Sequence, residues 1–91
     1  METKAEILLV DDHALILEGM QRMLELVPGV KVADAVTSGT RAAELIGERD
    51  YDIYVLDVSL PDISGFDLVD MIREINESAR IIISTMHEEI W

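Results

Sequence analysis

The 91-residue sequence contains no cysteine. That excludes a disulfide framework and a thiolate zinc site. Basic residues are scarce: Lys and Arg number 7 against 19 Asp and Glu, for a net charge of −12. Direct nucleic-acid binding needs a basic face, which this balance does not supply. The excess acid suits a metal cation or a basic partner surface, and most of it simply solvates helix faces. No apolar run approaches the roughly 18–20 residues of a membrane span, so no membrane partner is expected. The opening METKAEILLVDD is too short in apolar residues for a signal peptide, because two aspartates end it. A cytoplasmic location is therefore expected. The length allows one domain with a small core.

What is present is an alternation of element types. The apolar run EILLV (β1, 6–10) is bounded by aspartates and reads as a buried strand. A first helix is expected over 13–27, with Asp11 or Asp12 as its cap. Its apolar stripe is read as Ile16, Met20, Met23 and Val27, and Pro28-Gly29 stops it. VKVADAV (30–36) alternates like a strand. Ser38 is placed to cap a second helix over 38–49, with Ala42, Ala43, Leu45 and Ile46 inward. A third strand is expected over 52–57, ending on Asp57. LPDISG then reads as a loop, and a third helix over 65–76 carries a stripe of Phe66, Val69, Ile72 and Ile75. A fourth strand over 80–85 and the start of another helix at 87–91 complete the pass. The order βαβαβαβ predicts a parallel sheet covered by helices on both faces.

In such sheets the chemistry lies beyond the carboxyl ends of the strands. Asp11 and Asp12 end strand one, Asp57 ends strand three and Thr85 ends strand four. If strands one and three are neighbours, three carboxylates meet in one pocket. They cannot all stay ionised without a cation or raised pKa values. A hard, oxygen-preferring ion such as Mg²⁺ resolves that conflict. A carboxylate beside Mg²⁺ can also attack phosphorus and become an aspartyl phosphate. The plain alternative for Asp11 and Asp12 is helix capping. His13 reads as a solvated histidine in the first helical turn rather than as a ligand.

Three segments, LLVDDH, YVLDVSLPDISG and ARIIISTMHEE, together resemble the receiver domain of bacterial response regulators, closest to the NarL/LuxR type. The resemblance implies a flavodoxin-like, doubly wound α/β fold with strand order 2-1-3-4. It implies Asp57 as phosphoacceptor and Mg²⁺ held by Asp11, Asp12, Asp57 and the backbone carbonyl of Ser59. Thr85 would be the switch hydroxyl, and Pro61 and Gly65 would shape the loop. The partner would be a sensor histidine kinase, and the output a DNA-binding domain that regulates transcription. The domain would be a phosphoacceptor rather than a conventional enzyme.

The sequence also departs from that family. A receiver has five βα units, and this sequence reaches only the fourth helix, so the sheet is expected to be incomplete. The lysine that contacts the phosphoryl group has no counterpart here, because Lys4 and Lys31 are misplaced. The apolar strand RIIIS would then be a sheet edge, and edges pair with other chains. Self-association is expected, through that edge or by exchange of elements. The alternative reading is a receiver-derived fragment that no longer switches and acts as a dimerising scaffold. A haloacid-dehalogenase-type phosphatase would carry a second aspartate two residues after the nucleophile, where this sequence has Ser59. A nucleotide-binding domain would need a glycine-rich turn where this sequence has DDH.

Overall fold

The computed structural model describes residues 3–84. Four strands and three helices alternate: β1 (Ala5–Val10), α1 (Ala14–Leu24), β2 (Val30–Val36), α2 (Gly39–Glu48), β3 (Ile53–Asp57), α3 (Gly65–Ile75) and β4 (Arg80–Ser84). The strands form one sheet in the order β2-β1-β3-β4, and every neighbouring pair is parallel. Thr85 and the expected helix start at 87–91 lie outside the described residues.

The apolar run of β1 has a place on both faces of this sheet. Ile7, Leu8, Leu9 and Val10 are all at most 2% exposed. Successive side chains of a strand point to opposite faces. Leu8 and Val10 join Tyr54 and Leu56 in a core closed by Ala42, Leu45 and Ile46 of α2 and Leu68 and Ile72 of α3. Ile7, Leu9 and Val55 pack on the other face against Leu17, Met20 and Leu24 of α1. A continuous apolar strand, rather than an alternating one, is what a sheet with two covered faces requires.

Two helices bury a stripe that only partly matches the one expected: Met20 of α1 and Val69 and Ile72 of α3 pack inward, and the rest of each stripe shifts. In α1, Leu17 is buried, whereas Met23 and Val27 are 65% and 45% exposed. α1 also ends at Leu24, three residues before the expected Val27. The amides of Leu26 and Val27 bond back three residues, to Met23 and Leu24, as a helix end tightens ahead of a turn. Pro28 disfavours helical backbone at Val27. In α3, Leu68 and Ile72 are fully buried, whereas Phe66 and Ile75 are 63% and 52% exposed. Both helices carry apolar residues over more than half their circumference. Spacing alone therefore leaves the inward phase open, and the sheet chooses it.

The turns are held by local bonds. Ser38 Oγ accepts from the Arg41 amide and Ser64 Oγ from the Phe66 amide, so each caps its helix. Arg73 donates to the carbonyls of Glu77 and Ala79 at 3.0 and 2.7 Å, which latches the α3–β4 turn. At the amino end of the sheet the Tyr51 hydroxyl donates to Asp34 at 2.6 Å, and the Arg49 guanidinium lies 4.5 Å from the Tyr51 ring centre. Burial, then that hydrogen bond, pushes the Tyr51 phenol well above its ordinary range.

Candidate functional site

Register places the aspartates. Val10 of β1 sits opposite Leu56 of β3. The residue that follows each of them is an aspartate, so Asp11 and Asp57 emerge side by side. Both are buried, at 1% and 0% exposure. Asp12 stands beside them with a side chain 28% exposed. One oxygen from each of Asp11, Asp12 and Asp57 and Nδ1 of His13 all lie within 4.8 Å of one another. Like charges this close, in a partly desolvated pocket, repel strongly.

Three backbone or side-chain donors partly offset that repulsion. The His13 amide donates to Asp11 Oδ1 at 2.8 Å, and the Ser59 amide donates to Asp57 Oδ1 at 2.9 Å. His13 Nδ1 lies 2.9 Å from Asp11 Oδ1, 3.0 Å from Asp12 Oδ1 and 4.0 Å from Asp57 Oδ2. The hydrogen bond to Asp11, helped by the charges of Asp12, Asp11 and Asp57, raises the imidazole above its ordinary 6.5. His13 is thus more than a solvated helix residue: it is the N-cap position of α1, and its ring lies over the acidic group. Neither Asp11 nor Asp12 is the N-cap residue of that helix.

The loop from 58 to 64 borders the same pocket. Gly65, at its end, passes so close to β3 that a Cβ there would lie 2.6 Å from Asp57 O and 2.7 Å from Val58 Cα. Pro61 is exposed on the loop, and Leu60 is buried in the core. Lys4 precedes β1 and Lys31 is the second residue of β2, so both sit at the amino ends of strands, away from the aspartates. The expected switch residue Thr85 lies outside the described residues.

A contact that the sequence reading did not anticipate is made by Asp62. Its carboxylate accepts from the Gly39 amide at 3.0 Å, the Thr40 amide at 2.9 Å and the Thr40 hydroxyl at 2.7 Å. The Thr40 hydroxyl and amide, with the Gly39 amide, hold this carboxyl down at about 2, from an ordinary 3.8. Its signal in the sequence is only an aspartate in a loop, with partners more than 20 residues away. A carboxyl lowered on folding stabilises the fold above its unfolded pKa, and that stability disappears as pH falls through the folded pKa. The stability difference between wild type and Asp62→Asn should therefore be constant above about pH 5 and shrink between 3.8 and about 2. Urea unfolding of both proteins across that range checks this, and a pH-independent difference would contradict it.

A doubly wound parallel sheet with an acidic group at the carboxyl ends of its central strands defines a class of domain that handles cations and phosphoryl groups there. The comparisons with known proteins place it within that class. The family model of the response regulator receiver domain matches residues 7–90. The chain is 32% identical over 87 residues to the nitrate/nitrite response regulator protein NarL of Escherichia coli K12, covering 93% of this chain and 40% of that protein. It matches a LuxR-family two-component response regulator from Aurantimonas sp. SI85-9A1 with a TM-score of 0.83 and 38% identity, over 94% of this chain and 61% of that one. The receiver domain of a putative response regulator NarL from Mycobacterium tuberculosis gives a TM-score of 0.84 and 30% identity, over 98% and 71%. The chain belongs to the response regulator receiver domain family, among the NarL/LuxR-type regulators. It spans about two fifths of the length of the curated relative NarL. Among the described residues, no helix is long and apolar enough to cross a membrane.

Proposed function

We propose that Asp57 is the phosphoacceptor of a two-component response regulator, taking a phosphoryl group from the phosphohistidine of a sensor histidine kinase. The observation that supports this most is the buried Asp57 at a strand end, within 4.8 Å of the Asp11 and Asp12 carboxylates. A carboxylate oxygen of Asp57 attacks phosphorus, the P–N bond breaks, and the imidazole of the kinase leaves. The Ser59 amide, bonded to Oδ1, fixes the rotamer of the nucleophile.

The donor set fits Mg²⁺. It is rich in carboxylate oxygen, and Asp11 Oδ2 is buried with no hydrogen-bond partner among the described residues. Asp12, Asp57 and the Ser59 carbonyl would hold the ion, with Asp11 bound directly or through water. When bound, Mg²⁺ supplies positive charge against the carboxylates and the phosphoryl oxygens. Thr85 would hydrogen-bond the phosphoryl group, and the rearrangement would pass to a DNA-binding output domain in a cytoplasmic regulator of transcription.

Beryllofluoride binding by the 91-residue chain tests the reading. Binding should require Mg²⁺ and be abolished in Asp57→Ala. Binding by Asp57→Ala at wild-type affinity would end the phosphoacceptor reading. Self-association belongs to the same proposal: among the described residues β4 pairs only with β3, and Ile82 and Ile83 are 55% and 37% exposed. Light scattering on the same samples should give a dimer mass, and a monomer at high concentration would remove that part.

A further inference from the structure

We infer that Asp62 is a positioning residue for phosphoryl acceptance: its carboxylate ties the 58–64 loop to the start of α2 and so holds Ser59 against Asp57. The inference rests on the phosphoacceptor reading of Asp57 and adds a residue that acts through the loop.

α2 does not depend on Asp62 for its cap. Ser38 already caps that helix by accepting from the Arg41 amide. The Asp62 carboxylate takes the two amides in between, those of Gly39 and Thr40, together with the Thr40 hydroxyl. These three bonds connect parts of the chain 22 and 23 residues apart. The loop, whose tip at Pro61 and Asp62 is exposed, gains the most from them.

The helix and the loop are also in direct steric contact. A Cβ on Gly39 would lie 2.1 Å from Ile63 Cγ2 and 3.0 Å from Asp62 Oδ1, so glycine is what lets the loop lie flat on α2. At its other end the loop is pressed on β3 at Gly65. Ser59 lies between the end of β3 at Asp57 and the Asp62 anchor, and its amide holds Asp57 Oδ1 at 2.9 Å. Both groups that the phosphoacceptor reading assigns to Ser59, the amide on Asp57 and the carbonyl toward Mg²⁺, depend on the course of this loop. With Asp62 removed the loop loses its three polar bonds to α2 and, toward that helix, keeps the packing of Ile63 on Gly39. A site that is competent for only part of the time binds more weakly in proportion to that fraction.

The test is calorimetric titration of beryllofluoride in saturating Mg²⁺, with amide hydrogen exchange on the same proteins. Asp62→Ala should bind about tenfold more weakly, as when the competent arrangement is populated about a tenth of the time. Its Ser59 amide should exchange about tenfold faster. Thr40→Val, which removes only the hydroxyl donor, should weaken binding about threefold, and should add nothing in the Asp62→Ala background. Asp62→Asn should recover part of the affinity, because one oxygen acceptor remains. Ile46→Val, a core change on α2, serves as the stability control and should leave affinity unchanged. Affinity of Asp62→Ala within twofold of wild type overturns the inference, as does equal weakening by Ile46→Val at a matched loss of Tm. If Asp62→Ala does not fold, Thr40→Val decides: unchanged affinity and unchanged Ser59 exchange overturn it. Binding that survives Asp57→Ala overturns the phosphoacceptor reading and this inference together. A Ser59 amide unaffected by Asp62→Ala overturns the inference alone.

Discussion

Asp11→Asn should make the metal-free protein more stable, by about 1–2 kcal/mol, and should reduce Mg²⁺ affinity by more than about a hundredfold. Asp11 is 1% exposed, and its carboxylate shares a pocket with Asp12 and the fully buried Asp57. Bringing charges of one sign this close costs free energy that solvent cannot screen. Asparagine removes one charge and keeps an oxygen for the His13 amide, which now bonds Asp11 Oδ1 at 2.8 Å. Relief of repulsion at a functional site commonly contributes about 0.5–2 kcal/mol. The same substitution removes the charge that draws in a divalent cation. Loss of an outer-shell partner alone costs about 10–100-fold in metal affinity, and loss of a carboxylate in the pocket should exceed that. Urea unfolding with a chelator and with Mg²⁺ separates the two effects. Wild type should gain stability on adding Mg²⁺, as any ligand of the native state provides, and Asp11→Asn should gain little. A metal-free Asp11→Asn less stable than wild type would show that the carboxylate is held by favourable interactions that outweigh the repulsion.

Gly65→Ala should destabilise the fold by about 2–3 kcal/mol, whereas Gly47→Ala should stabilise it by about 0.5–1 kcal/mol. The same added methyl group meets opposite surroundings. At Gly65 it would lie 2.6 Å from Asp57 O and 2.7 Å from Val58 Cα. Those are backbone atoms at the end of β3, which cannot swing away as a flexible side chain can. Either α3 lifts off the strand or β3 shifts, and both move Asp57. At Gly47, inside α2, the added Cβ meets nothing within 4 Å. There alanine improves helix propensity and reduces the freedom of the unfolded chain. For a domain of this size the first change lowers Tm by roughly 10–20 °C. Thermal unfolding measures both, and beryllofluoride binding by Gly65→Ala at wild-type affinity would show that β3 does not move.

Much of the architecture was legible in the sequence because it rests on local, periodic signals. The runs at β1 and β3 are apolar without a break, as strands covered on both faces must be. Each ends in an aspartate, and the strand-end rule brings Asp11, Asp12 and Asp57 together once β1 and β3 are neighbours. The cap at Ser38 follows from residue type and position alone.

The tertiary structure decided what local pattern leaves degenerate. It selected Leu17 over Met23 and Val27 on α1, and Leu68 over Phe66 and Ile75 on α3, because several apolar stripes compete on each helix and only the sheet distinguishes them. It set the His13 ring, still 45% exposed, against the carboxylates of Asp11 and Asp12. It brought Asp62 onto Gly39 and Thr40, a contact between residues more than 20 apart that leaves no periodic trace in the chain. Hydrophobic periodicity records which residues leave water together. A single long-range hydrogen bond carries no such repeat, so only the folded chain shows which aspartate answers which amide.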